Sequence, residues 1–189
     1  MEVTNPDILI AGCGTGQHSI RTKCRFKGSK VLAIDLSLSS LAYAKRKTQE
    51  LGIQNIDYMQ SDILKLTKLD RQFDIIESVG VLHHMDDPVA GWRVLVDCLK
   101  PGGLMKVGLY SELARQSVVK FRSKIAQSTS LPTKNDIRAF RAEIVKSQDA
   151  FSKQLKSWGD FYGMSEFRDL IFHVQEHRFT LQQLSLIHI

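Results

Sequence analysis

The stretch DILIAGCGTGQ, Asp7 to Gln17, followed by KVLAID, Lys30 to Asp35, decides how this chain is to be read. Ile8 to Ala11 are apolar without a break, as expected of a short strand buried on both faces of a parallel sheet. Glycines then occupy alternate positions, Gly12, Gly14 and Gly16. Such a run lets the backbone turn tightly and lets a ligand approach where a Cβ would collide. The second strand, Lys30 to Asp35, ends on a carboxylate at about the interval where an acidic side chain meets ribose hydroxyls in nucleotide-binding α/β folds. The dinucleotide fingerprint needs glycine at position 17, where Gln17 stands, and this counts against NAD or FAD.

Outward from this core, strands and helices alternate. The spacing predicts a helix from Gln17 to about Phe26, and a second, capped by Ser37 or Ser39, with Leu41, Ala44, Thr48 and Leu51 on one face and Gly52 as its stop. Ile56 to Gln60 and Phe73 to Val79 read as strands three and four. Asp86 or Asp87 caps a third helix with Pro88 in its first turn and Val89, Trp92, Leu95 and Leu99 as its buried stripe. Pro101-Gly102-Gly103 ends it, before strand five from Leu104 to Tyr110. Past Ser111 the alternation gives way to helical spacing in Leu113 to Ala126, Ile137 to Val145 and Phe167 to Val174, with a loop at Ser128 to Pro132.

The order of strand, G-x-G-x-G turn, helix and acidic strand end resembles the first motifs of class I S-adenosylmethionine-dependent methyltransferases. SDI at Ser61 to Ile63, FDIIES at Phe73 to Ser78 and LKPGGL at Leu99 to Leu104 extend the resemblance over roughly Asp7 to Tyr110. The resemblance implies an α/β, Rossmann-like doubly wound, mainly parallel sheet with a helical insertion after strand five, the usual final helix and β-hairpin being missing. It also implies S-adenosylmethionine as cofactor, held by Gly12, Cys13, Gly14, Gly16, Asp35, Leu36, Asp62, Ile63 and Glu77. Asp35 would take the ribose diol, Asp62 the neighbourhood of the adenine amino group. As simpler roles, Asp35 can cap the following helix and Asp62 its loop. One departure is Ile10, where the family usually has an acid two places before the first glycine; that acid helps hold the methionine end through the turn.

Methyl transfer from a sulfonium disperses charge, so alignment and exclusion of water can carry much of the catalysis and a base is optional. His83 and His84, just past strand four, lie where ligands of open α/β sheets bind, and either is a candidate base; packing or capping is the plainer role. Ser78 shares its position with Glu77. In the helical region Trp158, Phe161, Tyr162, Arg168, His173 and His177 offer aromatic and hydrogen-bonding groups; Tyr162, Arg168, His173 and His177 are the candidate substrate contacts. His173 to His177 also spells H-x-x-E-H, which on a helix would set two imidazoles on one face for zinc, as in a hydrolase. A third ligand is missing from the sequence, and no metal site is expected.

With 189 residues, 43% apolar and 24% charged, the chain has ordinary globular composition and length for one core. Its net charge of +6 is spread: Lys and Arg outnumber Asp and Glu by 14 to 12 up to Ser111 and by 12 to 8 beyond. A nucleic-acid partner would want clustered basic residues with aromatics between them. A small-molecule acceptor is therefore expected, with protein or nucleic acid behind it and a non-catalytic S-adenosylmethionine-binding module as the alternative. Three cysteines without short paired spacing, no apolar run of membrane length and no signal-like amino end suggest a cytoplasmic protein. The expected organisation is a cofactor-binding core at 1–111, an insertion on the substrate side at 112–183, and a tail at 184–189 that resembles a translated sequencing adaptor, making the chain a carboxyl-truncated fragment.

Overall fold

A computed structural model describes residues 4–125, 133–173 and 175–187. The chain divides into two compact units, one running to Leu109 and taking in the residues from Gln182 onward, the other Tyr110–Leu181. In the first, β1 (Asp7–Ala11), α1 (Gln17–Arg25), β2 (Lys30–Asp35), α2 (Leu38–Glu50) and β3 (Ile56–Gln60) follow in turn. A 3-10 helix (Ile63–Leu69), β4 (Phe73–Val79), a 3-10 turn (Leu82–His84), α3 (Pro88–Asp97) and β5 (Leu99–Gly108) complete it.

The five strands lie in the order β3-β2-β1-β4-β5, all pairs parallel. After β3 the chain returns to the opposite side of β1. The connections of β1 and β4 therefore diverge, and a crevice opens at their carboxyl ends, the place where open α/β sheets take ligands. Alternate residues face opposite sides. Ile8, Ile10, Val31 and Ala33 pack with Leu41 on one, while Leu9, Ala11, Leu32, Ile34 and Ile76 pack with Leu66, Leu82 and Leu95 on the other.

Local chemistry sets the helix ends. Ser37 Oγ accepts from the Ser40 amide, and Asp87 accepts from the Val89 and Ala90 amides at 2.9 and 3.0 Å. α2 stops at Gly52, whose φ is +65°. The expected boundary between α3 and β5 is corrected. α3 ends at Asp97, and Leu99 belongs to β5 rather than to the helical stripe. Pro101, Gly102 and Gly103 lie inside β5, where the register with β4 jumps from Phe73↔Leu99 to Ile75↔Leu104. The extra residues bulge out at the sheet's edge, where a proline costs no ladder bond.

The second unit contains α4 (Gln116–Ile125), α5 (Lys134–Lys146), α6 (Ala150–Lys156), a 3-10 turn (Gly159–Phe161) and α7 (Met164–Phe172). α8 (Leu181–Ser185) then opens the return to the first unit. Val118, Phe121, Ile137, Leu155, Phe161 and Phe167 form the core of the second unit. Thr133 and Asp136 make a reciprocal capping box at the start of α5. The loop expected at Ser128 to Pro132, the helix end at Ala126, Val174 and the last two residues of the expected tail lie outside the described residues.

α7 ends at Phe172, and His173 has an extended backbone, φ −61° and ψ 134°. His173 and residues 175–177 are thus not helical, and the shared face needed for a zinc pair does not form. Its acid is engaged elsewhere: the Glu176 side chain, 1% exposed, accepts from Arg115 and from Arg122, the latter at 3.2 Å.

Candidate functional site

The glycine turn crosses the carboxyl end of β1. Gly12, Gly14 and Gly16 have φ of +82°, +52° and +86°, a left-handed backbone that explains glycine at each. Space explains them differently. A Cβ on Gly12 would fall inside the Val81 side chain, and one on Gly16 would stand 2.6 Å from the Ala44 Cβ. A Cβ on Gly14 meets nothing within 4 Å, so this glycine borders open space where a ligand can lie against the backbone. Gly12→Ala should cost about 2 kcal/mol of stability through strain and the displaced Val81, and Gly14→Ala about 1 kcal/mol through strain alone. In S-adenosylhomocysteine titrations Gly14→Ala should nevertheless bind about tenfold more weakly. Unchanged binding by Gly14→Ala would place the ligand elsewhere.

Asp35 ties the turn to β2. Its Oδ2 accepts from the Gly14 amide at 2.7 Å and its Oδ1 from the Ser37 amide at 2.9 Å, while Ile34 O accepts from the Gly12 and Cys13 amides at 2.9 and 2.8 Å. Asp35 is part-exposed, and each carboxylate oxygen keeps room for a further donor. Leu36 follows at 68% exposure, an apolar platform beside that carboxylate. Asp62, after β3, caps the next 3-10 helix by accepting from the Leu64 amide at 3.0 Å, and uses one oxygen for it. Ile63 is 6% exposed and packs into the core, so what it can offer a ligand is its backbone amide, which at the first helical position has no intrahelical partner.

Three expected residues need correction. Cys13 is buried among apolar neighbours; burial and the nearby Asp35 charge push its thiol up to about 12. It is an apolar filler, and its contribution at the turn is its backbone. Glu77, 3% exposed, points to the α1 side of the sheet, accepting from Thr22 Oγ1 at 2.5 Å and lying 2.8 Å from His18 Nε2. It does not face the crevice. His83 is fully buried, its ring edge-on to His84 at 4.3 Å, and is an interior residue rather than a base for an incoming acceptor. His84 is half-buried.

The candidate substrate contacts lie in the second unit. Tyr162 is 68% exposed and donates to Lys156 O; Arg168 is exposed on α7. His173 and His177 both lean on Gln175, His173 Nδ1 lying 2.7 Å from Gln175 O and His177 Nε2 3.3 Å from Gln175 Nε2. Two participants at the turn escape a reading by motif. Val81 packs on Gly12, and His18 reaches Glu77. Strand register brings them in, and register is not written in local spacing.

The crevice therefore offers open backbone at Gly14, a part-exposed carboxylate fixed beside it, an apolar platform at Leu36 and a second carboxylate at Asp62. These suit a nucleoside with a ribose diol, an adenine and no phosphate. Residues 8–103 match the family described as methyltransferase domain. The protein syc1184_c of Synechococcus is 34% identical over 126 residues, covering 66% of this chain and 30% of its own length. The ubiquinone biosynthesis O-methyltransferase of Ruegeria pomeroyi is 33% identical over 97 residues, 51% of this chain and 38% of the relative. This chain thus spans well under half the length of these relatives. PKMT2 from Rickettsia typhi shares the fold, with TM-score 0.76 at 17% identity over 97% of this chain and 38% of its own. An S-adenosylmethionine-dependent methyltransferase from Clostridium acetobutylicum gives TM-score 0.53 at 26% identity, over 61% of this chain and 47% of that one. With half its length matched by the family and its sheet in the same order of motifs, this chain belongs to the methyltransferase-domain family of the class I S-adenosylmethionine-dependent superfamily.

Proposed function

We propose that the chain is the cofactor-binding and catalytic part of an enzyme that moves a methyl group from S-adenosylmethionine to a small-molecule acceptor. The observation that carries this reading is Asp35: one carboxylate holds the Gly14 amide of the open turn and retains acceptor capacity for a ribose diol. Bound S-adenosylmethionine supplies a methyl group on a positively charged sulfur. The chain's own residues orient and enclose it. Gly14 lets the backbone lie against the ligand, Gly12 and Gly16 shape the turn beneath Val81 and Ala44, Asp35 takes the ribose, Leu36 and Asp62 flank the adenine, and the Ile63 amide is a donor for the same end. His84 is the group we assign to border the acceptor and accept its proton where one must leave.

A small molecule is favoured because relatives over this core include ubiquinone biosynthesis O-methyltransferases, and because the surplus positive charge is spread along the sequence. Among the described residues no helix is long and apolar enough to cross a membrane. Cys13, Cys24 and Cys98 are all free thiols, which supports a cytoplasmic location. The test is single-turnover transfer of labelled methyl from S-adenosylmethionine to a panel of phenolic, amine, nucleic-acid and protein acceptors. Label on a small phenol or amine is expected. Label only on protein or nucleic acid would reassign the acceptor, and tight cofactor binding with no transfer to any class would leave a binding module.

A further inference from the structure

Resting on that cofactor reading, we infer that Glu77 is a positioning residue: from the strand beside β1, its buried carboxylate pins α1 and so fixes the glycine turn that leads into it. Ordinarily a helix is held to a sheet by an apolar stripe and ordered at its start by a cap. α1 has neither. Its buried residues are Ser19, Thr22 and Lys23, no side chain caps it, and no acid stands in its first turn. It leaves Gly16 directly, the Ile20 amide donating to Gly16 O at 3.0 Å. Whatever holds α1 therefore also sets the exit of the turn.

Glu77 supplies that hold. Thr22 Oγ1 donates to it at 2.5 Å, His18 Nε2 lies at 2.8 Å and Arg25 at 3.9 Å. Residues 18, 22 and 25 recur at i, i+4 and i+7, one stripe of the helix converging on one carboxylate. Around it the face is apolar, with Ile8, Ile10, Val31 and Ala33 buried. A carboxylate persists in such a setting only when its donors are in place, so the contact is all-or-none rather than adaptable. The register adds the location. Glu77 pairs with Ile10, the residue two places before Gly12, and both side chains face α1. Ile10 stands where the family usually carries its acid, and here the negative group comes from one strand over.

The experiment is calorimetric titration of S-adenosylhomocysteine into wild type, Glu77→Gln, His18→Gln and the double variant Glu77→Gln with Ile10→Glu, each with a thermal melt and titrated well below its melting temperature. Glu77→Gln should bind about tenfold more weakly and His18→Gln about threefold. The double variant, with a carboxylate back on the same face, should return to within about threefold of wild type. A purely fold-stabilising role would lower melting temperatures and leave the dissociation constants of the folded variants alone. His18 is one-third exposed, so its variant keeps the fold and gives a reading even where a Glu77 variant does not. Wild type that binds alongside Glu77→Gln and His18→Gln binding equally well overturns the inference alone. A folded double variant that stays at the Glu77→Gln affinity overturns the claim that a carboxylate on this face is what matters. Wild type that does not bind overturns the cofactor reading itself.

Discussion

Replacing Asp35 with alanine should weaken S-adenosylhomocysteine binding about 100-fold, close to 2.7 kcal/mol. Two losses combine. On the proposed contact the ligand's ribose would lose its charge-assisted hydrogen bonding to the carboxylate, about 1.5 to 3 kcal/mol net. The Gly14 and Ser37 amides, held at 2.7 and 2.9 Å, lose their common acceptor, so the turn and the start of α2 must be ordered by the ligand instead. Asp35→Asn is a sharper probe, because the amide group presents a donor to one of two backbone donors. It should recover only part of the affinity. Titration calorimetry on the three proteins decides the matter: an alanine variant that binds as tightly as wild type would end the assignment of Asp35 to the ribose.

The second large effect lies in the helical unit. Glu176, 1% exposed at its side chain, is engaged by Arg115, itself 6% exposed, and by Arg122, with Arg178 3.8 Å away. Removing one partner of a buried pair strands the other charge. Glu176→Ala should cost about 4 kcal/mol, or roughly 10 °C in melting temperature for a chain of this size. A loss below about 1 kcal/mol would mean the arginines find water unaided. The pair also has a pH signature. Burial by itself pushes the Glu176 carboxyl up, but the Arg115 hydrogen bond and the Arg115, Arg122 and Arg178 charges outweigh it and hold the carboxyl below its ordinary 4.5. A lowered folded-state value means that the contribution is complete above about 4.5 and is lost as the pH falls through the lower folded value. Acid melting of wild type should therefore be steeper below pH 4.5 than that of Glu176→Ala.

Much of the cofactor half was legible because its signals are local. Apolar runs bounded by glycine give β1 and β2, and Ser37, Asp87 and Gly52 mark helix ends by chemistry that acts within four residues. Where the sequence misled, the deciding contact was remote. Pro101 to Gly103 has the composition of a turn, yet pairing with β4 draws it into β5 as a bulge. α6 has only seven residues, too short for a period to declare itself. α7 stops at Phe172 without a glycine or proline to announce it, so the histidine pair looked helical. Glu77 sits at the expected strand end, but its direction depends on the alternation of a sheet whose register only folding reveals, and His83 lies in a 3-10 turn whose packing turns its ring inward.

The contact between Val81 and Gly12 joins the two loops that leave β1 and β4 across the crevice. Val81 also begins the turn that carries His84, whose amide donates to Val81 O at 2.9 Å. Ordering either loop thus favours the order of the other. Thermodynamic linkage makes such a preference mutual: whatever factor by which bound cofactor tightens the acceptor, bound acceptor must tighten the cofactor by the same factor. A small side chain in place of Val81 would then reduce both factors together, leaving two binding events that no longer report on each other.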